Sequence, residues 1–280
     1  MTGPIPGRAP GDEHARRAAV TYGAAADHYD RPALSFWDRF GAATVSRLRL
    51  APGDRVLDLC CGAGASALPA ARAVGTAGHV LGIDVAAPLL AMARDRAAAQ
   101  GLANIEFQHG DATGTGLPDG SFDAVVCVFG VFFARDMTAF AAEMWRLVRP
   151  GGTLAVTTWG PGLFEPANGH FWAAIGAVAP SLYKAYNPWD EITTPDALAG
   201  LLRRAGAGGP AATAVPGQQQ LAGPGQFWDI VLGSGYRATV DALSQEQRDQ
   251  VRERVRQELN SAAITTLRTD VVFGTARRPR

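Results

Sequence analysis

The sequence predicts an α/β protein built on a mostly parallel β-sheet, and two observations carry that prediction. Between residues 55 and 159, short apolar runs alternate with alanine-rich helical stretches, which is the strand–helix–strand rhythm of a parallel sheet. The apolar runs are almost continuously hydrophobic, as expected of strands that are buried on both faces. A chain of 280 residues suits one such domain with an insertion, so a second core is not required.

Five strands and three helices follow one another in this region. The strands are predicted at 55–61, 79–85, 104–111, 122–130 and 153–159. The helices that connect them are predicted at 66–74, 88–101 and 138–148.

The flanking parts of the chain are predicted from helix signals and composition. Two helices precede the sheet, on either side of Pro32, because apolar residues there recur at spacings of three and four. Thr194 and Ser244 have the residue type and context of helix N-caps, and a last strand is predicted at 270–276. The predicted segments are a disordered start (1–11), N-terminal cap helices (12–50), a ligand-binding core (51–160), a lid or substrate insertion with helices (161–240), and a C-terminal helix with the final strand (241–280).

Composition excludes several classes of function. The 26 basic and 26 acidic residues cancel, so the sequence offers no basic footprint for nucleic acid or an anionic membrane. No apolar run approaches the roughly 20 residues that span a bilayer, and the start does not resemble a signal peptide. Three cysteines form neither a zinc pattern nor a disulfide framework. We therefore expect a cytoplasmic protein that acts on a small molecule, with no metal and with an undetermined oligomeric state.

The strongest chemical signal lies at the ends of the first three strands. Asp58 precedes a turn that contains Gly62 and Gly64, Asp84 ends the second strand, and Asp111 ends the third. Glycines let the backbone approach a ligand closely, and open α/β sheets bind ligands at the carboxyl ends of their strands. Each feature alone is weak, since such turns and carboxylates also serve as plain connectors and helix caps. Together they predict a ligand site at this edge.

These motifs resemble those of the class I S-adenosylmethionine-dependent methyltransferases, and in particular the small-molecule branch that includes the ubiquinone/menaquinone methyltransferases. The segments that carry the resemblance are AADHYD (25–30), VLDLCCGAG (56–64), GID (82–84), HGDA (109–112), LPDGSFDAVVCVFG (117–130) and LVRPGGTLAV (147–156). The family's loop has a glycine where this chain has Cys60. The resemblance implies a Rossmann-like, seven-stranded, mostly parallel sheet with helices on both faces and a helical cap.

The resemblance also implies a role for each matching residue in binding S-adenosylmethionine. Asp58 would orient the methionine amino group, Tyr29 would close over the methionine carboxylate, and Gly62 would pass beneath the methionine moiety. Asp84 would hold the ribose and Asp111 would read the adenine amino group. The implied cofactor set is Tyr29, Asp58, Cys60, Gly62, Gly64, Asp84, Val85, Asp111, Ala112, Val128 and Phe129.

Two other functions are compatible with the sequence. The turn at Gly62 also satisfies the G-x-G-x-x-A pattern of a nicotinamide oxidoreductase, but Asp58 would repel a pyrophosphate and Asp111 has no part in that pattern. A methyltransferase-like fold can also bind S-adenosylmethionine and catalyse a cyclisation, or serve as a scaffold. No residue excludes that alternative.

The acceptor and its chemistry are predicted from the aromatic insertion. Six aromatic residues between 160 and 190, with Trp159 just before them, favour a largely apolar or aromatic acceptor. His170 lies among them and is the candidate general base, although a surface histidine on a lid helix is an equal alternative. Trp37 and Phe40 either line the pocket mouth or pack the leading helices, and packing is favoured. For Phe132 and Phe133 the same two alternatives are more evenly balanced.

Overall fold

The computed structural model describes residues 13–280. The predicted disorder at 1–11 and the first residue of the cap segment lie outside the described residues. Within the described part the strands are β1 (Arg55–Leu59), β2 (His79–Asp84), β3 (Ile105–His109), β4 (Phe122–Val128), β5 (Val148–Trp159), β6 (Ala211–Val215), β7 (Gln218–Gln220), β8 (Thr266–Arg268) and β9 (Val271–Arg277).

Helices surround these strands. The α-helices of the described part are α1 (Glu13–Ala25), α2 (Phe36–Val45), α3 (Ala67–Val74), α4 (Ala87–Ala99), α5 (Met137–Leu147), α6 (Ala167–Val178), α7 (Pro195–Arg204), α8 (Phe227–Leu232), α9 (Arg237–Asp241) and α10 (Gln245–Ser261).

The main sheet has seven strands in the order β3-β2-β1-β4-β5-β9-β6. The first five pair in parallel, whereas β9 runs antiparallel to both of its neighbours. The predicted fold class, a seven-stranded and mostly parallel sheet, is therefore confirmed. The order reverses between β1 and β4, so their carboxyl ends form the crevice in which open α/β sheets bind ligands.

Alternate residues of each central strand enter two separate apolar clusters, one on each face of the sheet. Val56 of β1 packs with Leu68 of α3 and Leu90 of α4. The next strand residue, Leu57, belongs to the cluster that contains Met144 of α5 and Leu202 of α7. Successive side chains of a strand point to opposite faces of the sheet, so a strand of continuous apolar residues is buried on both faces. The polar residues then lie at the carboxyl ends of the strands.

Strand β6 was not predicted, and it lies within the segment 161–240 assigned to the insertion. It pairs with β9 at the edge of the main sheet, and α7 contacts both β6 and β9. This part of the segment thus completes the sheet. Of the rest, α6 packs on α10, while β7 pairs with β8, from outside the segment, in a separate two-stranded sheet.

No helix in the part of the chain that the structure describes has both the length and the apolar character needed to cross a bilayer.

Candidate active site

The site begins at the loop that leaves β1. Cys60, Gly62 and Gly64 all have positive φ angles, of 60°, 51° and 86°. Glycine adopts such angles without strain, whereas a residue with a Cβ does so at a cost. A Cβ at Gly62 would lie 3.2 Å from the Tyr29 hydroxyl oxygen. The loop therefore turns sharply and presents bare backbone to the space beneath Tyr29.

Asp84 fixes this loop at the end of β2. Its Oδ2 accepts a 2.8 Å hydrogen bond from the Gly62 N–H, and its Oδ1 accepts one of 2.8 Å from the Ala86 N–H. Burial raises the pKa of this carboxyl above its usual value, and the bonds from backbone N–H groups oppose that rise. The carboxylate is nine-tenths buried and borders the cavity at the strand ends.

Asp111 lies at the next strand end. Its Oδ1 accepts hydrogen bonds from the N–H and the hydroxyl of Thr113, at 2.9 and 2.7 Å. This turn holds the carboxylate at the border of the same cavity, next to the buried Ala112. Two of the three carboxylates expected at the strand ends are therefore brought together.

Asp58 is placed differently from the prediction. It is fully buried, does not line the cavity, and accepts a 2.7 Å hydrogen bond on Oδ2 from the Ser66 hydroxyl. Its Oδ1 has no hydrogen-bond partner in the structure. Burial raises the pKa of Asp58 to about 7. Asp58 lies within β1, which ends at Leu59, whereas the cavity wall begins with the loop residues that follow.

Aromatic side chains form part of the cavity wall. Tyr29 stacks on Trp37 with ring centroids 5.6 Å apart, and Phe129 stacks on Trp159 at 3.8 Å. Tyr22 of α1 also lines the cavity. Burial raises the pKa of both tyrosine hydroxyls, so they stay neutral at ordinary pH. Phe40 does not line the cavity and packs against Phe129 and Trp159.

Most of the residues expected to bind a cofactor line this cavity. Those that line it are Tyr29, Cys60, Gly62, Asp84, Val85, Asp111, Ala112, Val128 and Phe129. Asp58 and Gly64 do not; a Cβ at Gly64 would lie 3.1 Å from Leu68 Cγ, so this glycine serves the packing of α3. The lining residues that sequence reasoning missed are Ala15, Ala18, Tyr22, Cys61, Ala65, Ser66, Leu89, Thr113, Gly130, Ala134 and Phe140. Helix α1 supplies three of them, and the sequence carried no signal that it would cover the strand ends.

Comparisons with known proteins agree with this geometry. A family model described as a methyltransferase domain matches residues 56–152. A nocamycin O-methyltransferase from Saccharothrix syringae is 33% identical over 189 residues, covering 64% of this chain and 68% of that enzyme. The chain belongs to the S-adenosylmethionine-dependent methyltransferases.

Other methyltransferases are similar over smaller shares or by fold alone. A demethylmenaquinone methyltransferase from Geobacillus kaustophilus is 36% identical over 142 residues, covering 49% of this chain and 61% of that enzyme. A phosphoethanolamine N-methyltransferase from Haemonchus contortus, solved with S-adenosylhomocysteine, has the same fold with a TM-score of 0.59 at 17% identity. That match covers 96% of this chain and 61% of the other. The chain thus spans about two thirds or less of these enzymes' lengths.

The methyltransferase cofactor, S-adenosylmethionine, fits the residues of this cavity. Asp84 and Asp111 offer carboxylate oxygens at its edge, Leu89 and Phe140 offer apolar contacts, and the loop at Gly62 leaves the backbone open. A cofactor that carries hydroxyl, amino and sulfonium groups matches such a mixed lining. This cavity is called the cofactor cavity below.

A second space, the aromatic passage, adjoins the cofactor cavity. It is a cavity of about 20 Å³. Its lining residues are Tyr22, Trp37, Phe132, Trp159, Leu163, Phe164, Trp189, Ser234, Gly235 and Tyr236. Tyr22 and Trp37 also line the cofactor cavity, so the two spaces share a wall.

A third space, the outer cavity, lies on the other side of the passage and has a volume of about 460 Å³. Leu163, Trp189 and Tyr236 line both spaces. Apart from Tyr236, every residue that lines the outer cavity lies between 160 and 190, in the aromatic insertion. The polar members of this lining are Glu165, Asn168, Lys184, Asn187 and Asp190.

His170 does not occupy the position expected of a base. It lines none of the three cavities. Its Nδ1 lies 3.8 Å from Glu258 Oε2 of α10, and its side chain is about one third exposed. Helix α6 turns its neighbours Gly169 and Trp172 to the outer cavity, which leaves His170 on the side that contacts α10. The structure therefore does not bring His170 to the site, and its role as a general base stays a prediction.

Within residues 13–280 the structure contains no group of three or more histidine, cysteine, aspartate or glutamate side chains that could hold a metal ion. Metal-independent chemistry stays a prediction.

Proposed function

We propose that this methyltransferase acts on a small molecule that reaches the cofactor through the aromatic passage. The observation that supports this proposal is that neighbouring cavities have lining residues in common. Tyr22 and Trp37 join the cofactor cavity to the passage, and Trp189 and Tyr236 join the passage to the outer cavity. The three spaces in a row give the donor and the acceptor separate sites that meet at Trp37.

Roles in binding the cofactor follow from position. We propose that Asp84 holds the ribose hydroxyls and that Asp111 with Ala112 binds the adenine edge. Tyr29 covers the methionine end, over the backbone of Gly62. We assign Asp58 a positioning role in place of direct contact, because its carboxylate holds Ser66, which does line the cavity.

S-adenosylmethionine supplies an activated methyl group on a positively charged sulfur. The protein's part is chiefly to orient the two reactants, and orientation contributes up to about 7–11 kcal/mol in favourable cases. Trp37 and Tyr22 stand between the two sites, packed by Tyr29 and Phe133 respectively. Rigid aromatic walls of this kind restrict the approach of the acceptor to one direction.

The acceptor combines an aromatic or apolar part with a polar part. The passage is lined mostly by aromatic rings and has room for about one water-sized group, so it suits the reacting end of a flat apolar molecule. The outer cavity adds Glu165, Asn168 and Asp190, which suit a partner with hydrogen-bond donors. The acceptor is therefore less uniformly apolar than the sequence indicated. The names of the two relatives in sequence, which refer to nocamycin and demethylmenaquinone, agree with a small molecule.

The experiment is transfer of an isotopically labelled methyl group from S-adenosylmethionine into three pools: small-molecule extracts, bulk tRNA and bulk protein. We expect label only in the small-molecule pool. Label in tRNA would contradict the proposal. Binding of the cofactor without transfer into any pool would favour the alternative of a non-methylating cyclisation or a scaffold.

A further inference from the structure

Two residues that line the aromatic passage each carry a buried polar atom without a partner. The atoms are Trp37 Nε1 and Ser234 Oγ, on side chains that are 7% and 4% exposed. Both residues line the same cavity of about 20 Å³, which is room for about one water-sized group. Buried polar groups are nearly always paired in proteins, so this cavity is built to receive a polar atom.

The two atoms specify what kind of atom fits. The indole N–H of Trp37 can only donate, whereas the Ser234 hydroxyl can donate or accept. A ligand atom between them must therefore offer lone pairs. An oxygen does so in every state, most strongly as an anion, because hydrogen bonds to charged groups are about twice as strong as neutral ones. A protonated amine offers none.

The same passage contains no group suited to remove a proton. Its titratable lining residues are Tyr22 and Tyr236. Burial raises the pKa of both, and the Tyr236 hydroxyl already donates a 2.6 Å hydrogen bond to Asn168 Oδ1. Neither carboxylate nor imidazole lines the passage among the described residues. An acceptor hydroxyl must therefore lose its proton to solvent and be acidic enough to do so.

We infer that Trp37 Nε1 and Ser234 Oγ form an oxyanion site for the acceptor, which is a compound with an acidic hydroxyl of the phenol or enol class. This inference rests on the proposed function. The bound oxyanion keeps a lone pair for attack on the methyl carbon. A C–O bond forms, the C–S bond breaks, its electron pair stays on sulfur, and the products are a methyl ether and neutral S-adenosylhomocysteine.

The test uses 4-nitrophenol as a chromophoric probe, with S-adenosylhomocysteine bound to the protein. Absorbance titration gives the pKa of the bound phenol. Two donors to the anion are expected to lower that pKa by about 1–2 units, equivalent to a phenolate affinity about 10–100-fold above that of the phenol. Ser234→Ala and Trp37→Phe should each reduce this preference by about 3–10-fold, an equal share of the effect of two donors.

A matched control separates the oxyanion site from general packing effects. Thr239 also has a buried hydroxyl without a partner, but it lines none of the three cavities. Thr239→Val should keep the lowered pKa of the probe. Thermal unfolding and S-adenosylhomocysteine titration of each variant show whether the fold and the cofactor site persist.

The inference would be overturned by no saturable binding of 4-nitrophenol, by an unshifted pKa in the wild-type protein, or by an undiminished shift in Ser234→Ala. Tighter binding of 4-nitroaniline than of 4-nitrophenolate would overturn it too, since an amine would then be the preferred ligand. If S-adenosylhomocysteine binds normally in those experiments, the proposed function stands while the oxyanion site falls. If S-adenosylhomocysteine does not bind, the result contradicts the proposed function itself.

Discussion

At the scale of single residues, Asp84 is the side chain on which the cofactor loop depends. Replacing it with alanine removes the acceptor of two backbone N–H bonds and the carboxylate that we propose holds the ribose. Loss of charge-assisted hydrogen bonds of this kind costs about 2–3 kcal/mol, so affinity for S-adenosylhomocysteine should fall about 30–150-fold by calorimetry. Asp95→Ala, an exposed acid on α4, is the matched control and should bind as wild type. Equal affinities in the two variants would remove Asp84 from the site.

Asp58 makes a separate prediction about stability and pH. Its folded pKa of about 7 lies above the ordinary value of 3.8, so the folded state binds more protons than the unfolded state between those values. Stability should therefore fall as pH rises from about 4 to about 7, by on the order of 2–3 kcal/mol between about pH 5 and pH 8. Urea unfolding of the cofactor-free protein measures it. Asp58→Asn should flatten the profile, and an equally steep profile in that variant would assign the effect to other groups.

His170 yields a prediction opposite to the one its sequence context suggests. Because its ring faces Glu258 and lines no cavity, His170→Ala should retain a rate constant within about threefold of wild type, far from the 10²–10⁴-fold loss of a general base. Single-turnover methyl transfer is the measurement. A hundredfold slower rate with unchanged cofactor affinity would restore its catalytic role.

The sequence predicted site residues well where local pattern determines position. Asp84 ends β2 and Asp111 follows the end of the neighbouring parallel strand β3, so their convergence follows from topology alone. Asp58 belongs to the same motif as Gly62, which lines the cavity. Its carboxylate, however, is buried within β1 and accepts a hydrogen bond from Ser66. The position of His170 could not be predicted, because residues on one helix face different partners and its partner Glu258, on α10, is 88 positions away along the chain.

At the scale of elements, the fold was predictable where strands are buried and less so at the edge. Strand β6 has the sequence AATAV and no buried residue, with three exposed and two half-buried positions, so hydrophobic pattern does not reveal an edge strand of this kind. Helix α10 was predictable because Ser244 and Gln247 form a capping box, and both of its bonds are present.

The capping box of α10 leads to a prediction about stability. Ser244→Ala should lower the free energy of unfolding by about 1 kcal/mol, the usual loss of an N-cap. Helix α10 supports α6 and hence one wall of the outer cavity, so acceptor KM should change more than cofactor affinity. Arg252→Ala, at an exposed position of the same helix, is the control for stability. An unchanged unfolding curve in Ser244→Ala would mean that the cap contributes nothing measurable.

At the scale of the whole molecule, the sheet and the aromatic insertion line different cavities. The carboxyl edge of the sheet supplies Asp84 and Asp111 to the cofactor cavity, and residues 160–190 supply most of the outer cavity. The sequence predicted both regions from spacing and from aromatic content. It could not show that Trp37 and Ser234, far apart along the chain, line one passage, since their proximity depends on how α2 and the loop after α8 pack.

The most direct test of this account is calorimetric titration of the purified protein with S-adenosylhomocysteine and, separately, with NAD⁺. Because carboxylates border the cofactor cavity and would repel a pyrophosphate, we predict saturable binding of S-adenosylhomocysteine at one site per chain and no measurable binding of NAD⁺. Saturable binding of NAD⁺ together with no heat from S-adenosylhomocysteine would contradict the assignment of the cavity to a methyl donor.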